Sequence, residues 1–292
     1  MHEAGACRRF SSPATALAVM DEREIFTPSG VRLRAAGHRG DGPAWLLLPG
    51  GPGLGSESLA GLAACMDVPG SRWLVDLPGD GSNRAAAPDC YLRWPEVLIE
   101  AAQAMPGAVL VAHSTGGMYA LSVPALEPLL RGLVLIGSAP DAGWQAAFAR
   151  MCADHPLPQA QDALASFAAS PDVESLRAAM SACAPWSFLP AGLAAGRALM
   201  AGLPCNPAAM HWSAEHFDDV YRAAWWPVQM PVLLLSGAGD RVVDQSLWNA
   251  PRWRTANVRQ VVIAAAGHFP WVEQPEAVGA ALADFAARLA VE

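Results

Sequence analysis

Three residues far apart in the chain have the types that nucleophilic catalysis needs. Ser114 sits in Val109-Leu110-Val111-Ala112-His113-Ser114-Thr115-Gly116-Gly117-Met118, where an apolar, β-rich run breaks at a serine and the residues beyond it read as the start of a helix. A strand that turns sharply into a helix leaves no room for bulky side chains two positions either side of the turn, and Ala112 and Gly116 occupy those positions. Asp240 follows the apolar run Pro231-Val232-Leu233-Leu234-Leu235-Ser236, and His268 follows Val258–Ile263 in Ala265-Ala266-Gly267-His268-Phe269-Pro270. A serine hydroxyl is a weak nucleophile until a base takes its proton. Histidine suits that task near neutral pH, and a carboxylate behind it fixes the tautomer and stabilises the cation that forms.

These residues act together only if the fold gathers them. The chain alternates strands and helices: a hairpin at Glu24–Thr27 and Val31–Arg34 around Pro28-Ser29-Gly30, then strands at Ala44–Leu48, Arg72–Val75, Val109–Ala112 and Leu133–Ile136. Helices are expected over Glu57–Cys65, Leu92–Met105 and from the elbow to about Leu130. Continuous apolar strands joined by helices imply βαβ units and a mostly parallel sheet. The alternation stops between Asp141 and Trp226, an Ala-rich stretch with helical candidates at Gly143–Asp154, Gln159–Ala169, Val173–Ala182 and Leu193–Leu203. Strands resume at Val232–Ser236 and Val258–Ile263, and a helix from Pro275 to about Ala290 closes the chain. The expected organisation is a poorly ordered leader (residues 1–23), an α/β core (24–140 and 227–292) and an inserted helical cap (141–226). In an open parallel sheet the loops after these strands share one edge, so Ser114, Asp240 and His268 can converge there.

At that point the chain resembles the α/β-hydrolase-fold serine hydrolases. Their triad runs Ser, acid, His along the chain, as Ser114, Asp240 and His268 do here. Pro49-Gly50-Gly51-Pro52-Gly53 resembles the His-Gly-Gly-Pro-Gly loop of the proline iminopeptidase branch. Asp76-Leu77-Pro78-Gly79-Asp80-Gly81-Ser82 is similar to the fold's Asp-Leu-Pro-Gly-His-Gly-x-Ser loop. Gly267-His268-Phe269-Pro270-Trp271-Val272-Glu273-Gln274-Pro275-Glu276 is similar to the catalytic-histidine segment with its Glu-x-Pro. The resemblance implies an α/β-hydrolase fold with an inserted helical cap, an acyl-enzyme on Ser114, and an oxyanion hole from the N–H groups of Thr115 and Gly51. Pro49 and Asp80 stand where the family pattern has histidines, so the hydrogen bonds around both must differ.

Alternatives exist at each position. Asp244, and Asp141 after the Leu133–Ile136 strand, are other candidates for the acid; Asp240 is nearest its strand end and best fits the motif. His113 beside the nucleophile reads as a packing or locally bonded residue, and Asp76 as a residue that orders its own loop. Gly51-Pro52-Gly53-Leu54-Gly55-Ser56 with Asp76 imitates a dinucleotide fingerprint. However, the last glycine is missing, a proline sits in the tight turn, and the serine, acid and histidine would go unexplained. The primary reading is a hydrolase of small, largely apolar esters or amides. The second is an aminopeptidase of the proline iminopeptidase type, which must neutralise a substrate ammonium in the cap; Glu215 is the candidate for that. A third is a ligand sensor that keeps the fold without turnover. Trp144 is a candidate pocket residue, one of six tryptophans in or beside the cap with Trp186, Trp212, Trp225, Trp226 and Trp271. C–C bond hydrolysis and cofactor-free perhydrolysis stay open, whereas dehalogenase and epoxide hydrolase roles, which place an aspartate at the elbow, are disfavoured.

Composition narrows the rest. The 292 residues are 53% apolar and 16% charged, suited to a large core. A net charge of −8 with no basic run argues against a nucleic-acid partner. All 19 basic residues are arginine, which removes Schiff-base and Walker-type chemistry. Six scattered cysteines without a C-x-x-C pair predict free thiols in a reducing, cytoplasmic setting, with no metal site. No cofactor and no membrane span are expected, and the Arg8–Met20 stretch only faintly imitates a signal peptide. The expected partner is a small-molecule or short peptide-like substrate; oligomeric state is not legible.

Overall fold

The computed structural model describes residues 23–84, 90–228 and 230–290. The expected leader lies outside the described residues apart from Arg23. Strands β1 (Glu24–Phe26) and β2 (Arg32–Arg39) form the expected hairpin, closed by Thr27 N–H to Val31 O at 2.9 Å. They are followed by β3 (Trp45–Leu48), a 3₁₀ turn at Ser56–Leu59, α1 (Ala60–Cys65) and β4 (Gly70–Asp76). After α2 (Trp94–Ala104) come β5 (Ala108–His113), α3 (Thr115–Leu121) and β6 (Leu130–Ile136). Five helices then intervene: α4 (Gly143–Asp154), α5 (Pro158–Ala169), α6 (Val173–Ser187), α7 (Leu193–Gly202) and α8 (Pro207–His216). The chain ends in β7 (Val232–Gly237), β8 (Val258–Ile263), α9 (Pro270–Glu273) and α10 (Pro275–Leu289).

The eight strands form one sheet in the order β1-β2-β4-β3-β5-β6-β7-β8. Only the β1–β2 and β2–β4 pairs are antiparallel. The side-chain period of two explains why the inner strands read as unbroken apolar runs. Trp45 and Leu47 of β3, Val109 and Val111 of β5, and Leu233 and Leu235 of β7 face α1 and α10, against Leu62, Leu282 and Phe285. Their alternates Leu46, Leu48, Leu110, Ala112, Val232 and Leu234 face α2 and α3, against Trp94, Leu98 and Leu121. Truncating one of these buried leucines to alanine typically costs about 2–5 kcal/mol, so both faces are needed.

The elements depart from expectation where local chemistry overrides periodicity. The helix after the elbow ends at Leu121 rather than near Leu130, because Pro124 and Pro128 turn the remainder into a 3₁₀ segment, Pro124–Leu129. Helix α6 continues to Ser187 with Pro185 inside its last turn. Helix α8 was not anticipated, although Asn206 caps it by accepting from Ala208 N–H and Pro207 occupies its first turn. The intervening helices leave and rejoin the sheet at one place. There Asp141 bridges Arg222, Ala142 N–H donates to Tyr221 O at 2.9 Å and Ala223 N–H to Pro140 O at 2.8 Å. Among the described residues no helix is long and apolar enough to cross a membrane, and Cys65, Cys152, Cys183 and Cys205 are in no disulfide.

Candidate active site

Strand β5 delivers Ser114 to the elbow in a conformation that side chains rarely adopt, φ 51° and ψ −124°. Such a backbone costs on the order of 1–3 kcal/mol and persists only where its surroundings over-determine it. Here Ser114 N–H donates to Ile136 O at 2.8 Å, and Ser114 O accepts from Gly117 N–H at 3.0 Å. The small residues read from the sequence have a steric cause. A Cβ on Gly116 would lie 2.3 Å from Pro49 O, and one on Gly50 would lie 2.6 Å from Ser114 Cβ. The glycine loop after β3 is therefore pressed directly onto the elbow.

The structure brings Ser114, His268 and Asp240 together. His268 Nε2 lies 3.0 Å from Ser114 Oγ, and His268 Nδ1 lies 3.0 Å from Asp240 Oδ2. Both side chains of the His–Asp pair are almost wholly buried. Asp240 Oδ1 accepts from the N–H groups of Val242 (2.9 Å) and Val243 (3.1 Å), which fixes the carboxylate and leaves Oδ2 for the imidazole. Gly137, at the end of β6, makes room for the pair: a Cβ there would sit 3.1 Å from His268 Nδ1 and 3.2 Å from Asp240 Oδ2. With Nδ1–H donating to Asp240 Oδ2, Nε2 is free to accept from the serine hydroxyl. That arrangement can move one proton from Ser114 to His268 as Oγ attacks an acyl carbon.

The other acids are occupied elsewhere. Asp244 caps the 3₁₀ turn at Gln245–Asn249, accepting from Ser246 N–H at 2.9 Å. Asp141 accepts from Gly143 N–H at 3.0 Å and lies 3.8 Å from Arg252. The half-exposed carboxylate of Glu215 pairs with His211 one turn earlier on α8, at 3.2 Å. Asp218 of that segment is half-buried and accepts from Ser213 Oγ; desolvation pushes its pKa up. Trp144, on α4, packs against Met118, Ala139, Tyr221 and Val243, beside the helix that follows the elbow, and its buried indole N–H has no partner. Trp225 and Trp226 instead pack into the core face shared with Trp248 and Trp253. A cavity of about 320 Å³ opens between α4 and the Asp240 loop, lined among others by Phe148, Arg150, Met151, His155 and Arg241.

Thr115 begins α3, so its N–H has no intrahelical acceptor and is available at the elbow. A Cβ on Gly50 would be 3.2 Å from that nitrogen, so the glycine loop runs directly beside it. Two carboxylates of the next loop tie the glycine loop down. Asp76 Oδ1 accepts from Ser56 N–H at 2.9 Å while Arg32 and Arg34 hold Oδ2 at 2.9–3.1 Å. Asp80 Oδ1 accepts from Gly53 N–H at 2.7 Å.

Residues read from the sequence only as packing, locally bonded or motif positions hold His268 in place. His113 Nε2 lies 3.0 Å from His268 O. Burial, and then the neighbouring His268, hold the pKa of His113 well below the usual histidine range. His113 is therefore neutral and donates to that carbonyl. On the other side, His268 N–H donates to Ser187 O at 2.8 Å, from the end of α6. Glu273 bridges the same two segments, accepting from Gly267 N–H at 2.6 Å and Leu189 N–H at 2.8 Å. The glutamate of the histidine segment was visible in the sequence; its partner at Leu189 was not, because the contact spans two of the inserted helices and the last two strands.

With this geometry in view, known proteins give the family. The sequence pattern of the alpha/beta hydrolase family matches residues 33–281, and the chain belongs to that family. It is 30% identical to a pimeloyl-[acyl-carrier protein] methyl ester esterase of Xanthomonas campestris pv. campestris, over 86% of this chain and 97% of the relative. In three dimensions it is similar to the proline iminopeptidase of Mycobacterium smegmatis, with a TM-score of 0.64, 20% identity, and 92% and 99% of the two chains covered. An esterase of Rhodococcus sp. ECU1013 superposes with a TM-score of 0.63 at 22% identity, covering 91% and 98%. At these identities the two structures speak for the fold alone.

Proposed function

We propose that this protein is a serine ester hydrolase that works through an acyl-enzyme on Ser114. The observation that carries the reading is the pair of 3.0 Å contacts joining Ser114 to His268 and His268 to Asp240 on a strained elbow. His268 Nε2 takes the Ser114 proton as Oγ bonds to the ester carbonyl carbon. The carbonyl oxygen becomes an oxyanion that accepts from the Gly51 and Thr115 N–H groups. Collapse breaks the bond to the alkoxy group, which leaves as an alcohol carrying the proton from His268. Water, activated by the same histidine, then hydrolyses the acyl-enzyme and regenerates Ser114.

Residues 141–226 act as a cap over this centre, and Trp144 with Met118, Tyr221 and Val243 supplies an apolar wall beside the elbow for the acyl chain. The esterase relatives support a carboxylic ester with a small alcohol as the bond cleaved. An aminopeptidase needs an acidic group facing the substrate ammonium, and Glu215 faces solvent beside His211, so the ester reading is preferred. Labelling with a fluorophosphonate probe tests the mechanism. Wild type is expected to label and Ser114→Ala is not; an unlabelled wild type would reject the activated serine. A panel of methyl and p-nitrophenyl esters beside aminoacyl anilides tests the substrate class, with turnover of the anilides alone favouring the peptidase.

A further inference from the structure

Asp80 is a departure from the family's loop pattern that the relay Ser114–His268–Asp240 does not use. It is 3% exposed, and its carboxyl accepts from Gly53 N–H at 2.7 Å and from Gly81 N–H. Gly53 lies two residues beyond Gly51 in the loop pressed onto the elbow. Its own carbonyl accepts from Asn206 N–H at 2.7 Å, and the Asn206 side chain donates to Gly79 O. Both peptide groups of Gly53 are thus held, one by Asp80 from the core and one by Asn206 at the start of α8.

The electrostatics around Asp80 differ from those around Asp76. From β2, Arg32 and Arg34 both reach Asp76, and Arg34 also pairs with Glu57 at 3.0 Å. Among the described residues no cation pairs with Asp80. The charged groups that face it are the carboxylates of Asp76 on β4 and Glu57 on the 3₁₀ turn, both repulsive, and the polar groups beside it are the Tyr91 and Tyr119 hydroxyls and the Asn206 amide. Burial first, and Asp76 second, push its pKa up to about 7.

We propose that Asp80 is the positioning residue of the oxyanion loop, and that its charge state sets how well this loop receives a developing negative charge. The proposal rests on the reading of Gly51 as an oxyanion donor. Through Gly53, the carboxyl fixes the direction of the Gly51 N–H. When neutral it adds no charge beside the loop; when ionised it adds a carboxylate to a region that must accept a second negative charge in the transition state, and like charges oppose it.

Steady-state hydrolysis of a short-chain p-nitrophenyl ester between pH 6 and 9 tests this in wild type, Asp80→Ala, Asp80→Asn and Ser114→Ala. Asp80→Ala is expected to lose about 10- to 100-fold in kcat, with KM changed far less, as for a misdirected oxyanion donor. Asp80→Asn keeps an acceptor for Gly53 N–H and is expected to recover most of that kcat. Its profile should stay level where the wild-type kcat falls as Asp80 ionises near neutral pH. A folded Asp80→Ala with wild-type kcat, or an Asp80→Asn profile superimposable on wild type, overturns the proposal; if the alanine variant does not fold, the asparagine profile decides alone. Turnover that survives in Ser114→Ala would instead reject the serine mechanism, whereas an inactive Ser114→Ala beside indifferent Asp80 variants rejects only the role of Asp80.

Discussion

The Ser114–His268–Asp240 cluster is held from two sides, and the two sides are built alike but not of like groups. On the histidine side, the backbone N–H and C=O of His268 are taken by Ser187 O and by His113, one from the inserted helices and one from β5. On the glycine-loop side, the N–H and C=O of Gly53 are taken by Asp80 and by Asn206 N–H, one from the core loop and one from the inserted helices. The difference lies in titration. His113 is kept neutral by burial, so its hydrogen bond to His268 O comes from an uncharged donor. Burial, and then Asp76, push the Asp80 carboxyl up to about 7, so the second side carries a group whose charge change falls near neutral pH. In the proposed mechanism the first side orients the proton carrier and the second faces the developing charge.

The largest expected effect comes from breaking the histidine side at its acid. Asp240→Asn removes the carboxylate that selects the Nδ1–H tautomer, and kcat/KM should fall by about 10³–10⁴-fold in steady-state assays. A loss under tenfold would mean that another acid serves, and would undo the assignment. Next is His113→Ala, which leaves His268 O unpartnered and opens a void among Phe269, Trp271 and His268. About 2–4 kcal/mol of stability should be lost in urea unfolding, together with at least a tenfold fall in kcat. His113→Gln, which can still donate to that carbonyl, should return part of the rate. Equal rates in all three proteins would show that His113 only packs.

A smaller effect separates the two sides by pH. The carboxyl of Asp80 holds its proton up to about pH 7 in the folded protein, against 3.8 as the ordinary value. Between those limits the folded chain binds more protons at this site than the unfolded one. Its contribution to stability is therefore full below about pH 4, falls as pH rises and is lost above about 7. Asp80→Asn should consequently gain stability relative to wild type as pH is raised from 4 to 8, by a few kcal/mol at the upper end. A constant difference across that range would remove Asp80 as the titrating clamp. The smallest effect belongs to a carboxylate on neither side. Glu215→Gln breaks an exposed i,i+4 pair with His211, and thermal melting should register less than about 0.5 kcal/mol.

Much of this was legible because the signals are local. A strand must break into a helix at Ser114 with small neighbours, and β5 and α3 do so at that residue. Asp240 and His268 follow strand ends because loops at one edge of a parallel sheet are where side chains from distant segments meet. The two-faced burial of β3, β5 and β7 follows from their unbroken apolar runs. Helix α8 had legible caps in Asn206 and Pro207, yet its apolar residues lack a clear face, which is why periodicity missed it.

Tertiary structure alone decided the partners. That His113 serves His268 is a contact across 155 positions, and that Glu273 ties Gly267 to Leu189 joins segments 84 positions apart. The sequence by itself determined which residues could do chemistry, through residue type and strand-end placement, and it exposed Asp80 as an unusual residue in its loop. It could not assign Asp80 a raised pKa, because that arises from burial and from the nearness of Asp76 and Glu57, with both arginines engaged elsewhere. Local propensity is written residue by residue, whereas desolvation and Coulomb energy depend on what the folded chain places alongside.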